Sequence, residues 1–452
     1  MFPLALTCLE EYMLCDDRPA YPMTGVFRLS FSGFLDRAAF EAAVAEAVRR
    51  HPLLRATVRR TGRSRPKWIE HPDWRPAVQW GSETNPHGFP PAGYMDLTRQ
   101  PATRFWVVHR DDGDDVVAQV HHACADALGM TQVLEDLLIG YARELGGDEQ
   151  VPLPELNVRH LRRRGTPGLT TWRLVRTAHQ QAVGLLGARE FLLRRPAPLV
   201  PPVGEIDEAL PPPLFPTPLV GQIDSAETGR ILATAKSREV TVNDLLVRDL
   251  FLAVGAWRKK WHLGSDRDWL RFSIPINLRT AADAQMPMAN SVSSVFLDRQ
   301  GKDFSDTDRL LDGIHEQMEL IKRLRLQYTF ILSLGVSRWL PGGIARGTQA
   351  DRCPLTSWMS NLGNVFSQTP LPRRENRVLA GNVVLESVDY VIPLRPHVHA
   401  AFCVYTYAGR LRVLMHFDPR VIEHGMAQEL LDTYLGQIRR TVEDGERRPC
   451  RS

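Results

Sequence analysis

The chain has 452 residues, 43% of them hydrophobic and 24% charged, with a formal net charge of +4. That length exceeds what one hydrophobic core serves comfortably, so two domains are expected, and the composition is that of a globular chain rather than a disordered one. So small a charge over so long a chain lacks the concentrated basic stripe that nucleic-acid binding requires, which excludes nucleic acid as a partner.

The first residues, "MFPLALTCLEEYMLCDD", lack a basic leading region and turn acidic at once, which is not the pattern of a secretory signal. No apolar run reaches the ~18–20 residues that span a bilayer. Cys8, Cys15, Cys124, Cys353, Cys403 and Cys450 form no CxxC pair and read as free thiols of a reducing compartment. A cytoplasmic protein is expected, with peripheral membrane contact left open.

"MTGVFRLSFSG" alternates Phe27, Leu29 and Phe31 against Val26, Arg28 and Ser30, a strand closed by Gly33. Next, Phe40, Val44, Ala47 and Val48 recur at helical spacing behind Asp36, an N-cap residue, and Pro52 predicts a stop near His51. Leu53–Val58 read as extended chain. Two apolar runs, Phe105–Val108 and Val116–Val120, flank Asp111-Asp112-Gly113-Asp114 and predict a hairpin. Leu128–Leu145 follows as a helix stopped by Gly146-Gly147.

Proline density then shifts the composition. A helix over Leu169–Leu193 is expected before "RRPAPLVPPVGEIDEALPPPLFPTP", the best linker in the chain. Arg162, Arg163 and Arg164, with Arg173, Arg176, Arg189, Arg194 and Arg195 beyond, form the densest basic patch. It reads as a solvated linker and helix face, or as a docking surface for an acidic carrier protein, a phosphate-bearing cofactor or an anionic membrane. The pattern resumes with a strand at Leu219–Ile223, a helix at Ser225–Lys236 and a strongly apolar helix capped by Thr241 or Asn243. Strands follow in "WLRFSIPINLR" and "MANSVSSVFLD", then a helix over Ser305–Arg325. The remainder carries further strands, a hairpin around Ala408-Gly409 and a closing helix over Val421–Arg440. Strands mixed with helices in both halves suggest an α/β architecture repeated twice.

The chemistry concentrates in "VHHACADALGM", where His121 and His122 end a strand and Asp126 precedes a helix. Metal ligation by His121, His122, Cys124 and Asp126 is disfavoured, because neighbours at a strand end point to opposite faces and no partner motif is present. A Cys124 nucleophile has no supporting signature. A general base is the third reading: a neutral imidazole, with a reference pKa of ~6.5, accepts a proton from an alcohol or amine near neutrality. One histidine would pack inward and the other face a cleft. The plainest alternative is that both are packing residues.

HHxxxD at a strand–helix junction resembles the HHxxxDG signature of the CoA-dependent acyltransferase superfamily, which includes chloramphenicol acetyltransferase, peptide-synthetase condensation domains, wax ester synthases and polyketide-associated acyltransferases. Other segments agree in order: "RRHPLLRA" (Arg49–Ala56), "VTVNDLL" (Val240–Leu246), "PINLRTAADAQMPMANSVSS" (Pro275–Ser294) and "SNLGN" (Ser360–Asn364). The resemblance covers nearly the whole chain. It implies an α/β fold of two chloramphenicol acetyltransferase-like sandwich domains with mixed sheets and an interdomain tunnel. The expected division is residues 1–195, a Pro-rich crossover at 196–218, and residues 219–452.

The resemblance further implies an acyltransferase that moves an acyl group from a thioester to an alcohol or amine, with His122 as general base. His121 and an Asp126–Arg279 pair would support the site, and Ser360 and Asn361 would contact the oxyanion or substrate, unless they form a plain turn. No metal and no tightly bound cofactor is implied. Acyl-CoA or a phosphopantetheine-linked acyl group is the co-substrate, and an acyl carrier protein is a candidate partner. A free-standing condensation enzyme that forms amides between carrier-bound substrates and a non-catalytic thioester-binding protein are the alternatives. Two departures stand out: Ala127 replaces the motif glycine, and DFGWG, found in several branches, is absent.

Overall fold

The computed structural model describes residues 1–62, 64–146, 151–166, 189–201, 206–348 and 353–447, with 184, 187 and 204 between them. The expected helix over Leu169–Leu193 lies mostly outside the described residues, as do Arg173 and Arg176. Among the described residues no helix is long and apolar enough to cross a membrane.

Two open sheets dominate, with helices disposed around them. The first sheet has seven strands. At its centre β2 (Thr24–Ser32) pairs antiparallel with β7 (Gly113–His121), placing Thr24 opposite His121. β6 (Thr103–Arg110) and β7 form the expected hairpin, whose two-residue tip is Asp111-Asp112. β5 (Val78–Gly81) adds in parallel beside β6. Every residue of β7 is buried, so this strand is covered on both faces. Two helices cover one of them. α2 (Arg37–Arg50) starts at Asp36, whose carboxylate accepts from Ala39 N at 2.8 Å, and ends at His51; it packs on α3 (Ala127–Glu144). Beyond His51 the chain is not extended at once: Pro52–Arg55 form a 3-10 turn before β3 (Ala56–Arg59). β3 joins a small sheet with β4 (Lys67–Glu70) and β1 (Leu4–Ala5), next to α1 (Cys8–Asp16).

The second sheet has six strands, ordered β10–β9–β11–β15–β16–β8. These are β8 (Pro218–Ile223), β9 (Trp269–Asn277), β10 (Val292–Gln300), β11 (Ser357–Asn364), β15 (Ala400–Tyr407) and β16 (Arg410–Phe417). β11 runs parallel to both its neighbours, which makes the sheet mixed. α4 (Ser225–Ser237), α5 (Val242–Lys260), α6 (Thr307–Arg323) and α8 (His424–Arg447) belong to this half, whereas α7 (Thr329–Ser337) packs on α1 and places Ile331 and Leu334 in the core of the first. Thr241, not Asn243, caps α5, through a reciprocal pair with Asp244. Leu246, Leu250, Phe251 and Val254 of α5 pack with Leu430, Leu431 and Tyr434 of α8 in a separate core.

Chain order and sheet membership diverge at one place. β12 (Arg373–Arg374), β13 (Arg377–Ala380) and β14 (Val383–Val391) come late in the sequence yet extend the first sheet, with β14 antiparallel to β2. A lobe is therefore not one continuous stretch of chain. Asp389 on β14 binds Arg28 of β2 at 2.6 Å and Arg412 of β16 at 2.8 Å, and so ties the two sheets together.

The basic patch is also not uniformly solvated. Arg162 and Arg163 are exposed, but Arg164 is buried and grips the buried Glu10 carboxylate through two hydrogen bonds of 2.6 and 2.8 Å. A guanidinium without that partner would be costly to bury.

Candidate active site

The site grows from the end of β7. His121 N donates to Ala102 O and His122 N to Met23 O, so strand pairing runs to the histidines and stops there. A tight turn follows, closed by Cys124 N donating to His121 O at 3.0 Å. Asp126, with extended backbone, then caps α3 by accepting from Gly129 N at 2.7 Å. Strand, turn and capped helix thus place His121, His122 and Asp126 within six residues of chain.

The histidines diverge, as neighbours at a strand end should. His121 is fully buried; its Nδ1 accepts from Ala123 N at 3.1 Å and its Nε2 lies 3.2 Å from Asp17 Oδ2. His122 Nδ1 lies 2.7 Å from Ala125 O. A carbonyl only accepts, so Nδ1 carries the proton and Nε2 of the neutral ring keeps its lone pair. Nε2 makes no hydrogen bond to a described residue and retains accessible surface. Burial lowers the His122 pKa from the usual histidine value, more than the Ala125 hydrogen bond and the Asp126 charge raise it. The ring is therefore neutral at pH 7 and deep in the molecule, and its basic nitrogen is unpaired among the described residues.

Asp126 joins the lobes. Arg279, just after β9, donates to Oδ2 at 2.9 Å and to Oδ1 at 3.0 Å, and also to Ala289 O at 2.8 Å. Ser291 N donates to Oδ2 at 2.7 Å. The hydrogen bonds of the Asp126 carboxylate go to Gly129, Arg279 and Ser291 rather than to the His122 ring. They clamp the 278–291 connection of the second lobe onto the turn that holds the ring. Asn290 in that connection donates through Nδ2 to His122 O at 2.7 Å and to Met13 Sδ of α1. Met288 N donates to His51 Nδ1 at 2.9 Å, and His51 Nε2 in turn faces Asp136 at 3.1 Å.

Ala127 is the first residue of α3 and lies outside the left-handed region. The glycine that the local structure requires is Gly129, where an added Cβ would sit 2.8 Å from Ala289 O and 3.2 Å from Asp126 Oδ1.

Ser360 and Asn361 lie on β11, which carries a register break between Asn361 and Asn364; they are strand residues rather than a plain turn. Alternation sends them to opposite faces. Ser360 is level with Cys403 of β15, and Cys403, Tyr405 and Leu362 belong to the first-lobe core, so Ser360 faces between the lobes. Its hydroxyl has no partner among the described residues and remains accessible. Asn361 instead turns toward Asn243 at the start of α5, 3.4 Å away, and accepts from Gly363 N at 3.0 Å. Neither residue hydrogen-bonds to His122 among the described residues.

Cys124 is buried, and burial pushes its thiol pKa far up, which rules out a reactive thiolate there. Among the described residues no group of three or more His, Cys, Asp or Glu is placed to hold a metal ion. Sequence reasoning did not single out Ala125, Asp17, Asn290, Ser291 or Gly129. Asn290 and Ser291 do fall within the "MANSVSS" segment, and their polarity ahead of an apolar strand was the available signal.

No family model matches the chain. An uncharacterised protein of Mycobacterium tuberculosis, present in two strains, is 27% identical over 374 residues, which is 80% of this chain and 83% of that protein. Solved structures align across almost all of it. The first condensation domain of the CDA synthetase gives a TM-score of 0.70 at 15% identity, covering 98% of this chain and 97% of that one. The epimerization domain from the third module of tyrocidine synthetase B gives 0.67 at 15% identity, covering 99% and 98%. Polyketide synthase associated protein 5 from Mycobacterium tuberculosis gives 0.66 at 13% identity, covering 98% of each.

Proposed function

From the premise that the chain has the two-lobed fold of condensation domains and CoA-dependent acyltransferases, we propose that it transfers an acyl group from a thioester to an alcohol or amine, with His122 as general base. A fold hosts many reactions, an epimerization domain among them, so the reading rests on the site. The observation that carries it is the His122 ring: Nδ1–H tied to Ala125 O, Nε2 unpartnered and accessible at the junction of the lobes.

In this reading acyl donor and acceptor meet in a crevice between the lobes. Nε2 takes the proton of the acceptor hydroxyl or amine as its O or N attacks the thioester carbonyl. A C–O or C–N bond forms and the carbonyl oxygen becomes an oxyanion. The carbonyl re-forms as the C–S bond breaks, and the imidazolium returns its proton to the departing thiolate. Atoms and charge balance without a covalent acyl-enzyme. The Ala125 carbonyl holds the tautomer and orientation, and stabilises the imidazolium between the two proton transfers. Ser360, facing between the lobes with a free hydroxyl, is the candidate oxyanion donor of the pair, rather than Asn361.

The donor would be acyl-CoA or a phosphopantetheine-linked acyl group, neither held as a resident cofactor. Likeness to condensation domains favours a second version of the same chemistry, amide formation between carrier-bound substrates. The non-catalytic alternative drew on Ala127, and that support falls away because the position is an ordinary helix start.

Thiol release from acyl-CoA and from an acylated carrier protein, each with a panel of alcohols and amines, tests the proposal. His122→Ala should lower turnover ~10²–10⁴-fold while the protein stays folded. Full transfer activity in folded His122→Ala would remove the reading. The preferred donor separates its two versions.

A further inference from the structure

α7 has a buried and an exposed side. Ile331 and Leu334 face inward, and the helix packs on α1. Its turns continue past Ser337, with Trp339 N donating to Val336 O at 3.0 Å and Leu340 N to Ser337 O at 3.1 Å. Val336, Trp339 and Leu340 consequently sit at i, i+3 and i+4, on one face. They are 62%, 88% and 56% exposed, and exposed Pro341 extends the patch. Single exposed apolar residues are ordinary; a tryptophan projecting almost wholly into water beside two aliphatic neighbours is not.

The surroundings are basic. Arg346 is exposed, has no partner among the described residues, and lies against Gly342, where an added Cβ would meet its side chain at 3.2 Å. Arg338 pairs with Glu11 of α1, and Arg65 lies close enough to feel the Arg338 charge. Exposed Arg60 neighbours Cys15 at the other end of α1. The acidic groups among them, Glu10, Glu11 and Asp16, are already paired with Arg164, Arg338 and Arg395.

We propose that this tip is a docking surface for an anionic lipid bilayer. Trp and Leu on a projecting turn, flanked by arginines, fit the boundary of headgroup and acyl chain: the apolar side chains enter and the guanidinium groups meet lipid phosphates. A protein partner fits the shape less well. The patch is a protrusion of three side chains and a proline, whereas a stable protein interface takes ~800 Å² from each partner. The site lies one helix layer away: α7 rests on α1, and Met13 of α1 touches Asn290, which holds the His122 carbonyl. A docked protein would present the α1 side of the crevice to the lipid. The inference does not depend on the acyl-transfer reading.

Co-sedimentation of the full chain with vesicles of phosphatidylcholine, alone or mixed with phosphatidylglycerol, tests it. Binding is expected to the mixed vesicles and to weaken as salt is added. The double variant Trp339→Ser/Leu340→Ser should partition about tenfold less or weaker still, and Arg346→Glu should weaken binding to the mixed vesicles alone. These side chains are exposed, so the fold should survive. No binding to mixed vesicles overturns the proposal, as does wild-type binding by the double variant or equal binding to neutral vesicles. A self-association or carrier-protein complex that the double variant abolishes, without vesicle binding, assigns the tip to that partner instead.

Discussion

Asp126 and Arg279, 153 residues apart, meet in two nearly parallel hydrogen bonds of 2.9 and 3.0 Å. The carboxylate is the more deeply buried partner, and it also caps α3 and receives Ser291 N. One side chain therefore starts the helix behind the histidines and fastens the second lobe to the first.

Asp126→Ala should cost about 3–5 kcal/mol, because it strands the Arg279 guanidinium and removes a cap together. Arg279→Ala should cost less than Asp126→Ala but still lower activity by loosening the 278–291 connection. Denaturant melts of both single variants and the double variant check this: the double variant should be less destabilised than the sum of the two. Simple additivity would mean that the pair is not energetically coupled.

The two small residues at the start of α3 should behave oppositely. Gly129→Ala should destabilise by about 1–3 kcal/mol, since the new methyl meets backbone at Ala289 O and cannot be relieved by a rotamer change. Ala127→Gly, which restores the motif glycine, should change melting and turnover little. A gain in activity from Ala127→Gly would show that position 127 does limit the site.

Ser360→Ala should lower kcat with little change in KM, by up to the ~2.7–4 kcal/mol that one oxyanion donor is worth. Asn361→Ala should affect stability through its contacts to Asn243 and Gly363 and leave kcat near wild type. Steady-state kinetics on both variants decides it. Equal kcat losses would contradict the division of β11 into two faces.

The acid limb of kcat/KM should lie below pH ~6.5, because burial holds the His122 pKa under the usual histidine value and only the neutral ring accepts a proton. Rate should hold through neutrality and fall as pH drops through the depressed pKa. An acid limb above that value would point to a different base.

Stability should carry a related signature. His416 is fully buried, with its pKa lowered to about 4 by burial, and its Nδ1 donates to Ile392 O at 2.7 Å. A folded pKa below the unfolded one means that the unfolded chain binds the proton first as pH falls. This residue's contribution is intact above pH ~6.5 and is lost between there and about 4, by up to ~1.4 kcal/mol per pH unit. His416→Gln cannot titrate, so wild type should lose stability on acidification more steeply than the variant. Parallel curves from urea melts across that range would refute this. The comparison with the variant matters because burial raises Asp16, Asp115, Glu135 and Asp249, which act in the opposite sense.

What the sequence determined by itself was whatever local chemistry decides. Asp36 and Thr241 cap the helices that follow them because a cap reaches only three residues ahead. The β6–β7 and Ala408-Gly409 hairpins follow from turn residues between apolar runs, and Ala408 and Gly409 both adopt positive φ. The HHxxxD spacing likewise contained the divergence of the histidines, since strand alternation enforces it. The tertiary structure decided whatever depends on groups brought together from distant parts of the chain. No periodicity assigns β14 to the first sheet, reveals Arg164 buried against Glu10, or shows that Gly129 is needed because Ala289 crosses above it. Which face of the second sheet Ser360 and Asn361 each take, one beside Cys403 and the other beside Val404, is set by pairing with β15, forty-odd residues later in the chain. Side chains encode short-range hydrogen bonds and burial preference directly, whereas the identity of a buried neighbour emerges only when two lobes close on each other.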